Sequence, residues 1–318
     1  MHSSPKRIVV AINPNASFGK TRAVGPTVVA ALKRRGHEVV ALSAPDFDGL
    51  VRVVRQALAE PAAPDALVVV GGDGMVNLGV NLVAGTGIPL GIVPTGTGND
   101  FAAGIGLPTG DTDAAIRVLE EALERAPRVI DAARVSGLPE GGEGGDGGDG
   151  SGGAPGVRWF AGVLSAGFDA AVNERANGMR RPKGASRYVI ALVAELAMLK
   201  SRRYALEIDG EPYSVDSCLL SIANNTTIGG GMKVAPDALL DDGLLDVFIV
   251  KPVSRLRFIR LFPKVFSGTH KSLDVVEFRR GRVVSIASPG IVGYADGERF
   301  GPLPLTVELV PGSLSVLV

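Results

Sequence analysis

Short apolar runs rich in valine and isoleucine alternate with amphipathic stretches over the first 134 residues. The runs at 8–12, 38–42, 67–70 and 90–93 are almost free of polar residues, as expected for strands buried on both faces of a parallel sheet. Between them, 22–35, 47–59, 76–83 and 113–124 carry helical spacing with turn residues at their edges. An open α/β layer follows, and such layers gather ligands beyond the carboxyl ends of their strands. From about residue 157 the texture becomes β-rich, with runs at 204–208, 214–223, 245–250, 275–278, 283–287 and 305–309. Helical stretches near 185–200 and 254–266 interrupt them. The predicted fold class is α/β plus β, an amino-terminal open α/β domain followed by a β-rich, sandwich-like domain.

At about 150 residues per domain, 318 residues also suggest two domains. The first spans 1–134 and the second 135–310. Residues 137–156, a low-complexity run of glycine and acids, predict a flexible surface excursion, either an interdomain linker or, the favoured reading, a hairpin-like insertion between the apolar stretches 129–135 and 157–164. The 33 basic residues balance the 33 acidic ones, which removes the bulk electrostatic case for a nucleic-acid binder. A single cysteine, Cys218, excludes an internal disulfide and a cysteine-cluster metal site. The most apolar helical stretch, 188–199, contains Glu195 and is far shorter than the roughly 20 residues a bilayer requires. The opening MHSSPKR runs straight into IVVAI without a signal-peptide pattern, so a cytoplasmic protein is expected.

The sharpest chemical signal is Gly71-Gly72-Asp73-Gly74-Met75, directly after a strand and opening a helix. Glycines let a ligand approach the backbone, and a helix amino terminus offers free N–H groups to phosphate. Asp73 would repel phosphate without an intervening cation, which points to a magnesium nucleotide. Taken alone, the turn fits an ordinary strand-to-helix junction capped by aspartate equally well. The next junction, Pro94-Thr95-Gly96-Thr97-Gly98-Asn99-Asp100, repeats the theme, and Asn13-Pro14-Asn15-Ala16-Ser17 ends the first strand. Three polar loops at one sheet edge favour a magnesium-nucleotide site over three ordinary turns. Phe18-Gly19-Lys20-Thr21 ends like a P-loop, but Pro14 stands where the pattern needs glycine, so a true P-loop is not expected.

These three loops, with Gly167-Phe168-Asp169-Ala170, the stretch from Ala235-Pro236-Asp237 to Asp246, and Asp296-Gly297-Glu298, resemble the bacterial diacylglycerol kinase family. The resemblance runs from about Arg7 to the carboxyl end outside the glycine-rich insertion. It implies a lipid kinase using ATP and Mg²⁺. The ATP site would comprise Asn13, Pro14, Asn15, Ala16, Ser17, Ser43, Gly71, Gly72, Asp73, Gly74, Met75, Val76, Asn77 and Thr97. Asp73 and Asp131 would lie near the catalytic Mg²⁺, and Glu298 would accept the proton of the acceptor hydroxyl, with Asp296 as second choice. From spacing alone, Asp296-Gly297 reads as a solvated hairpin turn. The resemblance further implies a structural Mg²⁺ on Asp242 and the main-chain oxygens of Leu239 and Leu244, where the residues alone suggest only a polar turn. It also implies that a final strand, near 311–318, returns to the first domain. The family usually has threonine where Met75 stands and glutamate where Leu78 stands, so those side-chain roles are absent here.

The expected acceptor is a lipid at a membrane surface, diacylglycerol above others. Arg257, Arg260, Lys264 and Lys271 would share one face of a basic amphipathic helix over 255–271, and basic residues from Arg180 to Arg203 flank the apolar 188–199. Packing on the second domain with solvated basic faces is the favoured alternative to membrane contact. Other readings are a NAD-kinase-like enzyme with a soluble substrate and a nucleotide-binding sensor without turnover. The sequence leaves the oligomeric state, a homodimer included, open.

Overall fold

Four parallel strands, β1 (Arg7–Ile12), β2 (Glu38–Leu42), β3 (Ala66–Gly71) and β4 (Leu90–Pro94), stand in the order β2-β1-β3-β4. The structure, a computed structural model, describes residues 4–13, 23–138, 157–179, 185–229 and 231–318. Within it, alternate residues of these strands serve two different cores. Val9, Ala11, Leu67, Val69, Leu90 and Ile92 face the layer containing helices α2 (Phe47–Leu58) and α3 (Asp73–Val83). Ile8, Val10, Ala66, Val68 and Val93 face α1 (Val24–Arg34) and α5 (Thr112–Ala122), with the short α4 (Asp100–Gly104) at the sheet edge. Burial on both faces is why these strands contain so few polar residues. Each fully buried Val, Leu or Ile contributes about 1.5–3 kcal/mol of transfer free energy. Asp46 and Asp111 fix two helix starts by accepting from the N–H of Gly49 (2.7 Å) and Ala114 (2.9 Å).

Strand β5 (Arg128–Ser136) pairs antiparallel with β6 (Arg158–Phe160), so the chain leaves and re-enters the fold on neighbouring strands around the glycine-rich segment. Residues 139–156 of that segment lie outside the described residues. The apolar stretch 157–164 that follows the insertion is divided between sheets: β6 ends at Phe160 and β7 (Val163–Ser165) joins the other sheet. Helices α6 (Phe168–Gly178) and α7 (Ala185–Ala197) follow. The run expected over 214–223 is likewise two strands. After β8 (Arg202–Ile208), β9 (Glu211–Ser217) belongs to the first sheet and β10 (Leu219–Ala223) to the second. Buried Cys218 sits at the changeover, where Ser217 Oγ donates to the carbonyls of Leu219 (2.6 Å) and Val250 (2.8 Å). Hydropathy does not register a change of sheet when both sides of the break are buried.

The second sheet runs β12-β11-β10-β7-β14-β15 and includes β11 (Leu245–Val250), β12 (Val276–Gly281), β14 (Val292–Ala295) and β15 (Glu298–Pro302). Its inner residues, among them Leu220, Ile222, Val247 and Ile249, meet Tyr204, Leu206, Val284 and Ile286 of β8 and β13 (Val283–Ala287) to form a sandwich core. Its outer residues, Leu219, Ala223, Phe248 and Val250, pack against α6, α7, α8 (Arg255–Leu261) and α9 (Lys264–Ser267). Pro263 separates the last two helices, so the basic stretch over 255–271 is two short helices and a 3-10 turn rather than one helix.

One strand joins the two halves. Strand β16 (Leu305–Leu317) pairs with β13 through its first residues, with β5 along most of its length, and in parallel with β4 at Val316–Leu317. A register shift between Val310 and Leu314 lets it bend from the sandwich into the α/β layer.

Candidate active site

Parallel pairing brings the carboxyl ends of β1 to β4 to one edge, which places Asn13, Ser43, Gly71-Gly72 and the loop from Thr95 to Asp100 there together. Pro14, Asn15, Ala16 and Ser17, together with Lys20, lie outside the described residues. The glycine turns touch: a Cβ on Gly96 would fall 2.6 Å from Gly72 Cα, and the N–H of Thr95 donates to Gly71 O (2.8 Å). Asn99 takes a left-handed conformation (φ 58°) and locks its own loop, accepting from Gly96 N–H (3.0 Å) and donating to Gly96 O (2.8 Å).

Asp73 opens α3, and its carboxylate accepts the N–H groups of Asn99 and Asp100, both at 2.9 Å. A Cβ on Gly98 would lie 2.5 Å from Asp73 Oδ2 and 3.5 Å from Asp100 Oδ2, so two carboxyl groups converge beside that glycine. Burial and the neighbouring Asp100 raise the Asp73 pKa against those two backbone bonds. Met75 and Val76 turn inward, and Leu78 sits in the α/β core where the family pattern has glutamate. Thr97 is exposed on the rim, and Ser43 is exposed at the end of β2. Buried Asn81 fastens α3 to the second domain by pairing with both the N–H and the carbonyl of Trp159 (2.9 Å each), and it donates to the carbonyl of Asn77 (2.9 Å).

The second domain delivers the Asp296-Gly297 turn between β14 and β15. Both residues have left-handed backbones (φ 50° and 83°), which the tight two-residue turn requires. Asp296 accepts from the N–H groups of Val163 (2.9 Å), Ala161 and Gly162 (3.2 Å each), so its carboxylate is occupied in shaping the β6–β7 corner. Burial nonetheless raises its pKa to about 6. Glu298 Oε1 lies 3.3 Å from the place a Cβ would occupy on Gly74. One side of Glu298 is open to solvent, but crowding by protein around the carboxyl raises its pKa; Arg158 opposes the rise and Asp73 adds to it. A carboxylate from the second domain is thereby coupled to the glycine-rich turn of the first.

Residues 7–135 match the family described as diacylglycerol kinase catalytic domain, and 162–318 match the YegS C-terminal NAD kinase beta sandwich-like domain. A diacylglycerol kinase of Mycobacterium tuberculosis is 37% identical over 312 residues, covering 98% of this chain and 94% of that one. The chain belongs to the diacylglycerol kinase family. It is a kinase-family phosphotransferase in two domains, α/β and β-sandwich-like. A diacylglycerol kinase structure from Bacillus anthracis superposes with a TM-score of 0.68 at 19% identity, covering 98% and 96% of the two chains. An NAD kinase from Archaeoglobus fulgidus, solved in complex with ATP, shares the fold at a TM-score of 0.51 and 13% identity, covering 98% and 93%.

Two cation sites follow from the family pattern, one near Asp73 and Asp131 and one at Leu239, Asp242 and Leu244, and of the first only Asp73 stands at the glycine turns, with Asp100 rather than Asp131 beside it. The converging carboxyl groups of Asp73 and Asp100, the second of which raises the cost of charge on the first, are a donor set suited to Mg²⁺ shared with a polyphosphate. Among the described residues no three His, Cys, Asp or Glu side chains are grouped to hold a metal unaided. A magnesium nucleotide supplies the remaining ligands from phosphate and water. The site expected at Leu239, Asp242 and Leu244 does not fit. The Arg280 guanidinium is ion-paired to Asp242 and reaches Asp246 at 3.2 Å, while Asp242 Oδ1 accepts from Leu244 N–H (3.1 Å). A fixed cation of the protein already occupies that carboxylate.

Asp131 also departs from expectation. Its two carboxylate oxygens accept the N–H groups of Gly243 and Gly312, both at 2.8 Å, and its N–H donates to Leu240 O (2.7 Å). This buried residue ties β5 to the 240–244 loop and to the bend of β16. The site also contains residues that the sequence reading missed. Asp100 is one, at the end of the turn that begins at Pro94. The polar run Asn224-Asn225-Thr226-Thr227 after an apolar strand was the available signal for another loop. Asn224 bridges the carbonyls of Asp131 (2.9 Å) and Ala161 (3.0 Å), and Asn225 packs where a Cβ on Gly104 would collide.

Proposed function

We propose that the kinase transfers the γ-phosphate of ATP, with Mg²⁺, to a lipid hydroxyl at a membrane surface, and that the acceptor is diacylglycerol. The carrying observation is the approach of Glu298 to Gly74, which sets a carboxylate beside the turn that would cradle the phosphates. Asn13, Ser43, Gly71, Gly72, Gly74, Val76, Asn77 and Thr97 would border the nucleotide, with Met75 supporting the turn from beneath and with Pro14, Asn15, Ala16 and Ser17 completing the border as the family pattern implies. Asp73 and Asp100 would hold the cation, which neutralises charge on the transferring group and on the leaving ADP oxygens. Asp131 would contribute by positioning rather than by contact with the cation.

In this reading Glu298 takes the proton of the acceptor hydroxyl as its oxygen bonds to the γ-phosphorus and the bridging bond to ADP breaks. A carboxyl with a raised pKa is the stronger base once ionised, which suits general-base work near neutral pH. The N–H groups of Asn99 and Asp100 hold the Asp73 carboxylate in place beside the glycine turn. A soluble acceptor such as NAD has weaker support, since both domains match lipid-kinase relatives. Radiolabelled transfer to mixed micelles containing diacylglycerol, ceramide or sphingosine, with NAD offered in solution, tests the proposal. Label in phosphatidic acid that disappears with Asp73→Ala is the expected result. Label only in NADP, or ATP binding without any transfer, would overturn it.

A further inference from the structure

Helices α7 and α8 cover the outer face of the second sheet, yet both also carry large apolar side chains on their solvent side. Leu192, Leu196 and Leu199 at one side, and Phe258 and Phe262 at the other, enter a common core beneath them. At 100° per residue Ile190 lies about 160° round α7 from Leu192, and Leu256 about 160° round α8 from Phe258, while Val193 and Ile259 stand on the flank, about 100° from the same inward residues. All four are exposed, Val193 by 61% and Leu256 by 82%. With Met198 and Phe266 they make six of the ten large hydrophobic residues exposed among the described residues. Large apolar side chains clustered on the outward side of packed helices are expected where something covers them.

The charge around this face selects the cover. Arg255, Arg260, Lys264, Lys200 and Arg202 are exposed around it, and none makes an ion pair among the described residues. The nearby acids are already matched: Glu195 with Arg175, Asp274 with Arg257, Asp237 with Lys271. Apolar side chains ringed by unpaired cations suit the boundary between acyl chains and anionic headgroups. The face is also joined to the site. Beneath α7, α6 supplies Glu174, which accepts from Tyr294 O–H and pairs with Arg299 (3.3 Å), two residues of the hairpin that carries Glu298. A cavity of about 340 Å³ lies between α6, α7 and β14, lined by Ala170, Ala171, Glu174, Glu195, Ile291 and Val292.

We propose that the outer face of α7 and α8 docks on an anionic phospholipid bilayer, with Ile190, Val193, Leu256 and Ile259 entering the headgroup boundary and Arg255, Arg260 and Lys264 meeting lipid phosphates. This rests on the lipid-kinase reading of the site and names the surface that presents the acceptor to it. The test compares the full chain with Val193→Glu/Leu256→Glu and with Arg255→Glu/Arg260→Glu, all at exposed positions, after thermal melts establish that each variant is folded. Vesicle flotation uses phosphatidylcholine alone and phosphatidylcholine with about one-third phosphatidylglycerol. Binding to the anionic vesicles falls about tenfold or more in both variants, and wild-type binding weakens with salt. Transfer to diacylglycerol in vesicles falls in parallel, while transfer to a monomeric short-chain diacylglycerol is unchanged. Wild-type affinity for vesicles in both variants overturns the docking face. So does a wild-type dimer that dissociates in the variants without loss of vesicle binding, since the face then covers a second copy. Vesicle binding that depends on this face, with no transfer to either acceptor, supports docking and overturns the lipid-kinase reading instead.

Discussion

Glu298 of the β14–β15 hairpin stands 3.3 Å from the position a Cβ would take on Gly74, so glycine at 74 is what lets the carboxylate of one domain reach the phosphate turn of the other. A side chain at 74 would press on the carboxylate proposed as base.

Glu298→Gln keeps the shape and removes the proton acceptor. The expected result is a fall in kcat of about 10²–10⁴-fold with ATP affinity retained, measured by transfer kinetics and nucleotide titration. Because burial raises the pKa of both Glu298 and Asp73, the acid limb of the wild-type rate profile should sit above the ordinary carboxylate range. Turnover that survives in Glu298→Gln with an unchanged pH profile would assign the base elsewhere.

Gly98→Ala is expected to drive a methyl group into the Asp73 carboxylate, where only 2.5 Å is available, and to lower ATP affinity and turnover at least tenfold. Gly110→Ala meets nothing within 4 Å and serves as the control, with activity and melting temperature close to wild type. Isothermal titration with ATP separates the two.

Asp296 holds its proton more tightly in the folded protein than in the unfolded chain, with a pKa of about 6 against 3.8. Its protonation therefore adds stability that is fully present below about pH 4 and lost as pH rises through 6. Asp296→Asn removes that dependence and gives up acceptor capacity toward three N–H groups. Urea midpoints measured from pH 4 to 7.5 should be lower in the variant and should fall less steeply than in wild type. Parallel curves would mean that Asp296 titrates normally.

Because Arg280 supplies the positive charge at Asp242 and Asp246, a chelator should leave the melting temperature of the nucleotide-free protein unchanged. Arg280→Ala should cost about 1–3 kcal/mol by stranding two carboxylates. Millimolar Mg²⁺ should recover part of that loss in the variant alone. A chelator-sensitive wild type would restore the cation expected at Leu239, Asp242 and Leu244.

Asp131→Ala should act on stability. It strands the N–H groups of Gly243 and Gly312 and is expected to cost about 2–5 kcal/mol, read by urea denaturation. Activity per folded molecule should fall far less than in Asp73→Ala.

Much of this architecture was legible because burial leaves a strong mark on composition. Strands such as Ala66–Gly71 are apolar at every position since helices cover both faces, and the glycine turns after them follow directly. The places where the chain changes sheet, at Gly162 and Cys218, were not legible, because buried residues stand immediately on both sides of each break. The site divided in the same way. Local turns such as Gly71-Gly72-Asp73 can be read from their own residues. The roles of Asp131 and Arg280 depend on partners far along the chain, Gly312 for one and Asp242 for the other, and local sequence carries no trace of those pairings.

Strand β16 has a consequence for how the protein is made. The sheet of the first domain ends at β4 until Val316 and Leu317 arrive beside Leu90 and Gly91. During synthesis the nucleotide domain therefore emerges with a bare strand edge and must wait while the whole sandwich is translated. A chain that stops before β16 would lack a paired strand in both halves at once.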